Sequence, residues 1–480
     1  MNKKIAKNSL YNVIYKGFNA IFPLIISAYV SHILKAEGVG KVTYANTIAT
    51  YFSTLAALGL PSYGIKIIAQ AGNNKQNREE RFQELFFINF VSTLFFSFAY
   101  YSIVNFTDYF INRKLLFNTM GILVLLNFIN VDWFYQGIEE YKYIATRSII
   151  MKFISLVLLL LFVKNDSDYI IYSVILCIST AGNYIFNIIR LKKYLNIFNF
   201  NKLHIKQHVK PILILLASTV ATEIYTMLDT VMIEFFHNET YVAYYSYSVK
   251  IVRMIYTVTI ALVATFYPQI SYFYKHRDYN EVNELLTKGL KIILVLAIPC
   301  SVGLYLTSNN LIPVLFGESF RNAIVSLQIL SPLVLVFSIA YFLGHIVLMS
   351  TGNEKIILRA TIVGAIVNFC LNITLIPTYK HYGAAFASVI AEIIVTTINI
   401  AKSKKYFKFN IKYTFIASII FSNLIMGCSV IIIGKLITND LLCLILQCMF
   451  GVMSYFIGLS IMKNDVLLYF KGIFRRKVKR

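Results

Sequence analysis

Two long apolar segments, 211–236 and 241–271, are joined by the short turn His237–Thr240, and both carry ionisable side chains in their interiors. The first holds Glu223, Asp229 and Glu234; the second holds Lys250 and Arg253. Each segment exceeds the roughly 20 residues that cross a bilayer, and each charge at membrane depth costs roughly 2.5–3.5 kcal/mol. Such charges persist where they pair with one another or face a polar cavity. At the helical rise, Lys250 comes to about the depth of Asp229, and Arg253 to about that of Glu223. Two readings follow. In one, these residues form ion pairs between neighbouring helices. In the other, Ser246, Lys250, Arg253 and Thr257 make a single helical face that presents positive charge to an anionic group, the arginine through its planar fork and the lysine as a point charge. A second polar stripe opens the chain: Asn8, Asn12, Lys16, Asn19 and Pro23 share one face of the first apolar helix. That stripe, ending in a proline, predicts a bent helix facing water or substrate. A lysine that merely reached back to the interface would not need the asparagines.

Other ionisable groups carry less. Lys66, Arg147 and Lys152 fall at span ends, where long side chains reach the interface. His345 and Glu392 are expected in the interior, the histidine as a bonded packing residue. Nothing in the chain pairs a nucleophile with a base, and it has neither a glycine-rich phosphate loop nor metal-ligand spacing. All six cysteines fall within apolar runs and read as packing residues. No catalytic group, metal or cofactor is expected, and no ATPase signature supplies energy.

The elements that must position these groups are membrane helices. Of the 480 residues 58% are hydrophobic, and mean hydropathy is +0.66, well above the roughly 45–50% of soluble domains. Apolar runs recur from end to end and predict an all-α polytopic membrane protein of about fourteen spans, numbered one to fourteen in chain order. The basic lead Met1–Lys7 enters a run too long for a signal peptide and is expected to be retained. The net charge of +23 is distributed unevenly. The N-terminus, even-numbered loops and C-terminal tail hold about 32 Lys and Arg, against about 7 in the odd-numbered loops. Both termini are therefore expected in the cytoplasm, and the basic excess reads as topology and attraction to anionic lipid, not as a nucleic-acid site.

Internal echoes suggest duplication. Val39–Ile48 resembles Val242–Ile251 without a gap, which aligns Thr43, Thr47, Thr50 and Thr54 with Ser246, Lys250, Arg253 and Thr257. Gly137-Ile-Glu139 echoes Gly352-Asn-Glu354. Six spans separate equivalent elements, which predicts two parallel pseudo-repeats of six helices. The expected divisions are 1–205 for the first lobe, 206–408 for the second, and 409–480 for two further helices and a basic tail.

The run Asp132-Trp-Phe-Tyr-Gln-Gly-Ile-Glu-Glu-Tyr-Lys-Tyr-Ile-Ala-Thr-Arg147 resembles a signature of the Wzx-type polysaccharide flippases, the oligosaccharide-lipid branch of the MOP exporter superfamily. Within it Asp132, Trp133, Gln136, Gly137, Glu139 and Arg147 carry the likeness. Glu37-Gly-Val-Gly40, Tyr267-Pro268, Phe316–Phe320, Gly352–Lys355 and Gly383-Ala-Ala385 resemble the same family in the same order. The resemblance implies two six-helix lobes around a V-shaped cavity that opens to each side in turn. It further implies an undecaprenyl-pyrophosphate-linked oligosaccharide moved from the inner to the outer leaflet of a bacterial cytoplasmic membrane for capsule, O-antigen or exopolysaccharide synthesis. A cationic lumen, a coupling ion (H+ or Na+) and a neighbouring polysaccharide polymerase would go with that activity. Lys16, Asn12, Asn19, Lys250, Arg253, Asp229 and Glu223 are then the lumen candidates.

Two related transporters share the expected architecture: a peptidoglycan lipid-precursor flippase and a MATE-type cation or drug antiporter. The latter would have to work from Glu223, Asp229 and Glu234, because the first helix offers a lysine. A membrane polymerase or ligase would need a larger outside loop than the longest one here, Ser308–Asn322.

Overall fold

The computed structural model describes residues 22–72, 74–195, 203–261, 263–407 and 411–468. Among them there are helices, turns and no strands. Twelve helical segments are long and apolar enough to cross a membrane. Two of these, Phe22–Ala71 and Glu354–Ser403, run to 50 residues and are broken by a non-helical residue, Lys35 (φ 54°) in one and Lys380 (φ 55°) in the other. Dividing both at the break gives fourteen spans, the number expected from hydropathy.

Backbone contacts separate the chain into two compact units, Met1–Glu234 and Phe235–Arg480. The first contains α1 (Lys3–Ala57), α2 (Leu60–Ala71), α3 (Lys75–Phe106), α4 (Lys114–Leu125), the short α5 (Asp132–Gly137), α6 (Tyr141–Phe162) and α7 (Tyr169–Leu191). It also contains α8 (Lys206–Phe236) as far as Glu234. The long α1 packs on α3, α4 and α6, while α2 lies against α3 and α5. In its core, Phe82 stacks on Trp133 at 5.4 Å and meets Phe134 edge-on. These aromatics bury together with Leu60, Ile68, Leu85 and Ile144.

The second unit contains α9 (Glu239–Ala261), α10 (Tyr267–Lys275), α11 (Tyr279–Phe316), α12 (Ala323–Leu330), α13 (Leu333–Tyr341), α14 (Glu354–Ser403), α15 (Tyr413–Leu436) and α16 (Asp440–Ile461). A π-helical turn, Phe342–Leu348, follows α13. The last two helices pack against each other and against α11. Tyr455 donates to the Val295 carbonyl at 2.7 Å, and Asn310 donates to Gln447 at 3.0 Å. Large apolar side chains stay on the outside of both units, Phe98 at 76% and Leu436 at 75% exposure among them. In lipid that arrangement is favourable, because the solvent is itself apolar.

The elbows are built by close backbone approach. At the first, Lys35 pairs with Asp166 at 3.1 Å, and Gly38 lies against the Asp166 carbonyl and Tyr169. In the adjoining loop, the N–H groups of Lys164 and Asn165 donate to the Asp168 carboxylate and hold it below the ordinary carboxylate range. At the second, a side chain at Gly383 would come within 2.6 Å of the Leu375 carbonyl.

The helix closures before spans five and eleven use one device. Glu139 takes φ 60°, its N–H bonds the Gln136 carbonyl, and the Glu140 N–H reaches Tyr135 at 2.9 Å. Gly352 takes φ 72°, its N–H bonds Met349, and the Asn353 N–H reaches Leu348 at 2.8 Å. Both are left-handed caps with the same pair of bonds. The left-handed residues are Glu139 and Gly352, so the echo that aligned Gly137 with Gly352 is two residues out of structural register.

Gly383→Ala is expected to cost about 1–3 kcal/mol through overpacking against fixed backbone. A thermal unfolding midpoint in detergent equal to that of the unaltered chain would show that the elbow has slack.

Candidate functional site

The signature run folds into a buried polar joint. Arg147 on α6 is 6% exposed and gives its Nη2 to Asp132 Oδ1 at 2.9 Å. Its Nε donates to Asn183 at 3.0 Å, and its Nη1 donates to Asn187, both on α7. Asn187 donates to the same Asp132 oxygen at 2.6 Å, and Tyr135 donates to the Asn187 carbonyl at 2.7 Å. Arg147 therefore does not reach for the interface, as its position near a span end suggested. Its fork spans three groups on two elements, a geometry that a flexible lysine would not reproduce.

The rest of the signature packs around that joint. A side chain at Gly64 would strike the Trp133 ring at 2.5 Å, and one at Gly137 would strike Ile68 at 2.8 Å. Gln136 is half-buried and lends its carbonyl to the Glu139 cap. Asp132, Trp133, Gln136, Gly137, Glu139 and Arg147 thus make the short α5 into a clamp among α2, α6 and α7.

The acidic residues of α8 are placed individually. Near its end, the buried Glu234 pairs with Arg113 at 2.5 Å and accepts from the Tyr109 hydroxyl. The Tyr44 hydroxyl lies 3.3 Å from that of Tyr109. Asp229 is buried at 4% exposure. Glu223 lines a cavity of about 310 Å³ with Tyr51, Thr54, Leu55 and Leu228, so α1 and α8 share one wall of it. The Thr43–Thr54 face is partly self-satisfied, for Thr47 and Thr50 donate to the Thr43 and Asn46 carbonyls.

In the second unit, Lys250 sits on α9 with its ammonium 4.4 Å from the Tyr247 ring centroid, a cation–π contact. Arg253, nearly one turn later, is exposed. Ser246 is half-buried and Thr257 exposed, and Thr257 donates to the Arg253 carbonyl. Glu223 and Asp229 belong to the first unit, whereas Lys250 and Arg253 belong to the second. Asn12, Lys16 and Asn19 lie outside the described residues. His345 falls on the π-helical turn, exposed, with its ring 5.1 Å from that of Tyr341.

One cluster escaped sequence reasoning. Glu84 on α3 and His208 in the first turn of α8 are both buried and meet at 2.8 Å. The other ring nitrogen of His208 lies 2.8 Å from the Tyr63 hydroxyl on α2. Arg81 also pairs with Glu84, at 3.0 Å. No motif joins positions 63, 84 and 208. The only trace in the sequence is an acidic residue directly before the apolar run of the third span.

Taken together, these helices define a polytopic membrane fold. It is similar to a solved lipid II flippase MurJ, with TM-score 0.74 and 16% identity over 98% of this chain and all of that one. A multidrug resistance MATE family transporter of the MOP superfamily aligns over 80% of this chain and 93% of its own, with TM-score 0.59 and 11% identity. The chain belongs to the polysaccharide biosynthesis protein family, which it matches over residues 5–274, and residues 215–374 match the MatE family. It is 23% identical over 404 residues to an Escherichia coli K12 protein named "Putative O-antigen transporter", covering 82% of this chain and 95% of that one. A Shigella dysenteriae protein of the same name is 21% identical, covering 81% and 97%. The resemblance to Wzx-type members of the MOP superfamily is borne out, and the chain is a transporter rather than an enzyme.

Asp132→Asn and Arg147→Lys are each expected to destabilise the first unit, by up to about 3–5 kcal/mol where a buried charge is left unpaired. Thermal unfolding and membrane yield would read the loss. Full stability in both variants would mean that the joint is dispensable.

Proposed function

We propose that the chain is a flippase for polysaccharide precursors, moving an undecaprenyl-pyrophosphate-linked oligosaccharide from the inner to the outer leaflet. The curated relatives along most of the chain support transport of this class. The observation that carries the assignment of charge is α9. It sets Lys250 and the exposed Arg253 on adjacent turns of an apolar span, where cations suit a pyrophosphate. Lys16, flanked by Asn12 and Asn19, supplies a further cation in this reading. Glu223 and Asp229 on α8 are the acidic candidates in this reading. The sugar passes through the polar path while the polyprenyl tail stays in lipid. The lobes are 1–205 and 206–408 with 409–480 appended, both termini are cytoplasmic, the membrane is the bacterial inner membrane, and an H+ or Na+ gradient drives the cycle. A polysaccharide polymerase would use the delivered unit.

Lys250→Ala and Arg253→Ala are each expected to reduce repeat-unit export about tenfold or more, since a charge-assisted hydrogen bond is worth about 1.5–3 kcal/mol. Surface polysaccharide in a complemented flippase-deficient strain, normalised to membrane level, measures this. Undiminished polymer from a stably inserted double variant would refute the cationic site.

A further inference from the structure

The Glu84–His208–Tyr63 cluster has the connectivity of a proton relay. The Glu84 carboxylate accepts from Arg81 at 3.0 Å, from the His204 backbone N–H at 3.0 Å and from Gln207 at 3.4 Å. So engaged with donors, it takes a fourth proton contact from His208 Nε2 at 2.8 Å. Ionised carboxylates only accept, so Nε2 carries the hydrogen and Nδ1 accepts from the Tyr63 hydroxyl. Neutral His208 is thereby fully satisfied, and its one basic site, the Nδ1 lone pair, is held by the Tyr63 hydroxyl, which must turn before a proton can bind there. A polar cavity of about 280 Å³ reaches it, lined by Tyr63, Gln70, Asn77, Arg81, Gln207 and His208.

We propose that His208 is a proton-binding site, loaded from this cavity, through which a proton gradient acts on α8; the coupling role rests on the transport reading above. A proton taken from water onto Nδ1 turns that nitrogen from acceptor to donor. Tyr63 must then accept from it and turn its own O–H toward the cavity that it lines. The ionisable groups around the ring are Tyr63 on α2, Arg81 and Glu84 on α3, and His204, Lys206 and Lys210 beside it in sequence. Arg81 and Glu84 offset one another, so the new charge rests on the imidazole, which Glu84 faces directly. Protonation therefore alters the bonds among Glu84, His208 and Tyr63 at the beginning of α8, where the His204 N–H and Gln207 also meet Glu84. The far end of that span is held separately by Glu234, Arg113 and Tyr109.

The chain carries its own reporter. Trp133, its single tryptophan, stacks on Phe82 two residues before Glu84 and fills the space at Gly64 beside Tyr63. Tryptophan fluorescence of the purified full chain is expected to change in one step as pH is lowered. His208→Gln is expected to lose that step, and Tyr63→Phe to keep it with a displaced midpoint. An unchanged step in His208→Gln would overturn the site. Where that variant does not fold, an unmoved midpoint in Tyr63→Phe would overturn it instead. A separate arm reconstitutes the unaltered chain in vesicles with an undecaprenyl-pyrophosphate oligosaccharide and imposes a pH gradient. Translocation indifferent to the gradient would overturn the coupling role. Absence of any translocation would overturn the transport reading, while the fluorescence step would still decide the proton site.

Discussion

The cost of an ionised group away from water governs this molecule. At bilayer depth each unpartnered charge costs several kcal/mol, more than most single packing contacts return. The protein accordingly places its buried charges in small, saturated clusters. Asp132 and Arg147 share Asn187 while Asn183 meets the arginine alone, Glu84 collects four donors, and Glu234 takes an arginine and a tyrosine. In each cluster the carboxylate comes from one helix and its main partner from another element. The same bonds that satisfy the charges therefore fix how the helices meet.

This arrangement gives α8 a distinctive position within the first unit. Its apolar middle buries little, whereas its first turn and its end are each held by a buried carboxylate. A helix fixed at its ends and loosely packed between them responds to chemistry at those ends. The clamp at Asp132–Arg147 differs, because its bonds are surrounded by the aromatic packing of Phe82, Trp133 and Phe134. One set of charges makes a rigid joint, and another includes a histidine whose bonds a change of protonation rearranges.

The run from Asp132 to Arg147 shows how a motif can identify a family without touching a substrate. Its residues stand out because each has few substitutes: a planar fork for Arg147, no side chain at Gly137 and a left-handed backbone at Glu139. The residues proposed for the substrate, Lys250 and Arg253, sit instead in an apolar helix. Substrate contact in a moving cavity asks for charge and exposure, which many sequences satisfy.

The sequence by itself determined the class of protein, because bilayer thickness and the cost of exposed backbone translate directly into runs of apolar residues. The fourteen spans and the family could both be read along the chain, whereas the elbows at Lys35 and Lys380 came from the structure. Local caps were less legible. The left-handed closure at Glu139 was masked by the nearby Gly137, since a glycine signals positive φ more strongly than a glutamate does. Tertiary structure alone decided the partners of the charges. Arg147 looked like an interfacial side chain until α7 supplied Asn183 and Asn187. Tyr63, Glu84 and His208 became one cluster only when three helices converged. Periodicity records which face of a helix is apolar, but a hydrogen bond between positions 124 residues apart leaves no periodic trace.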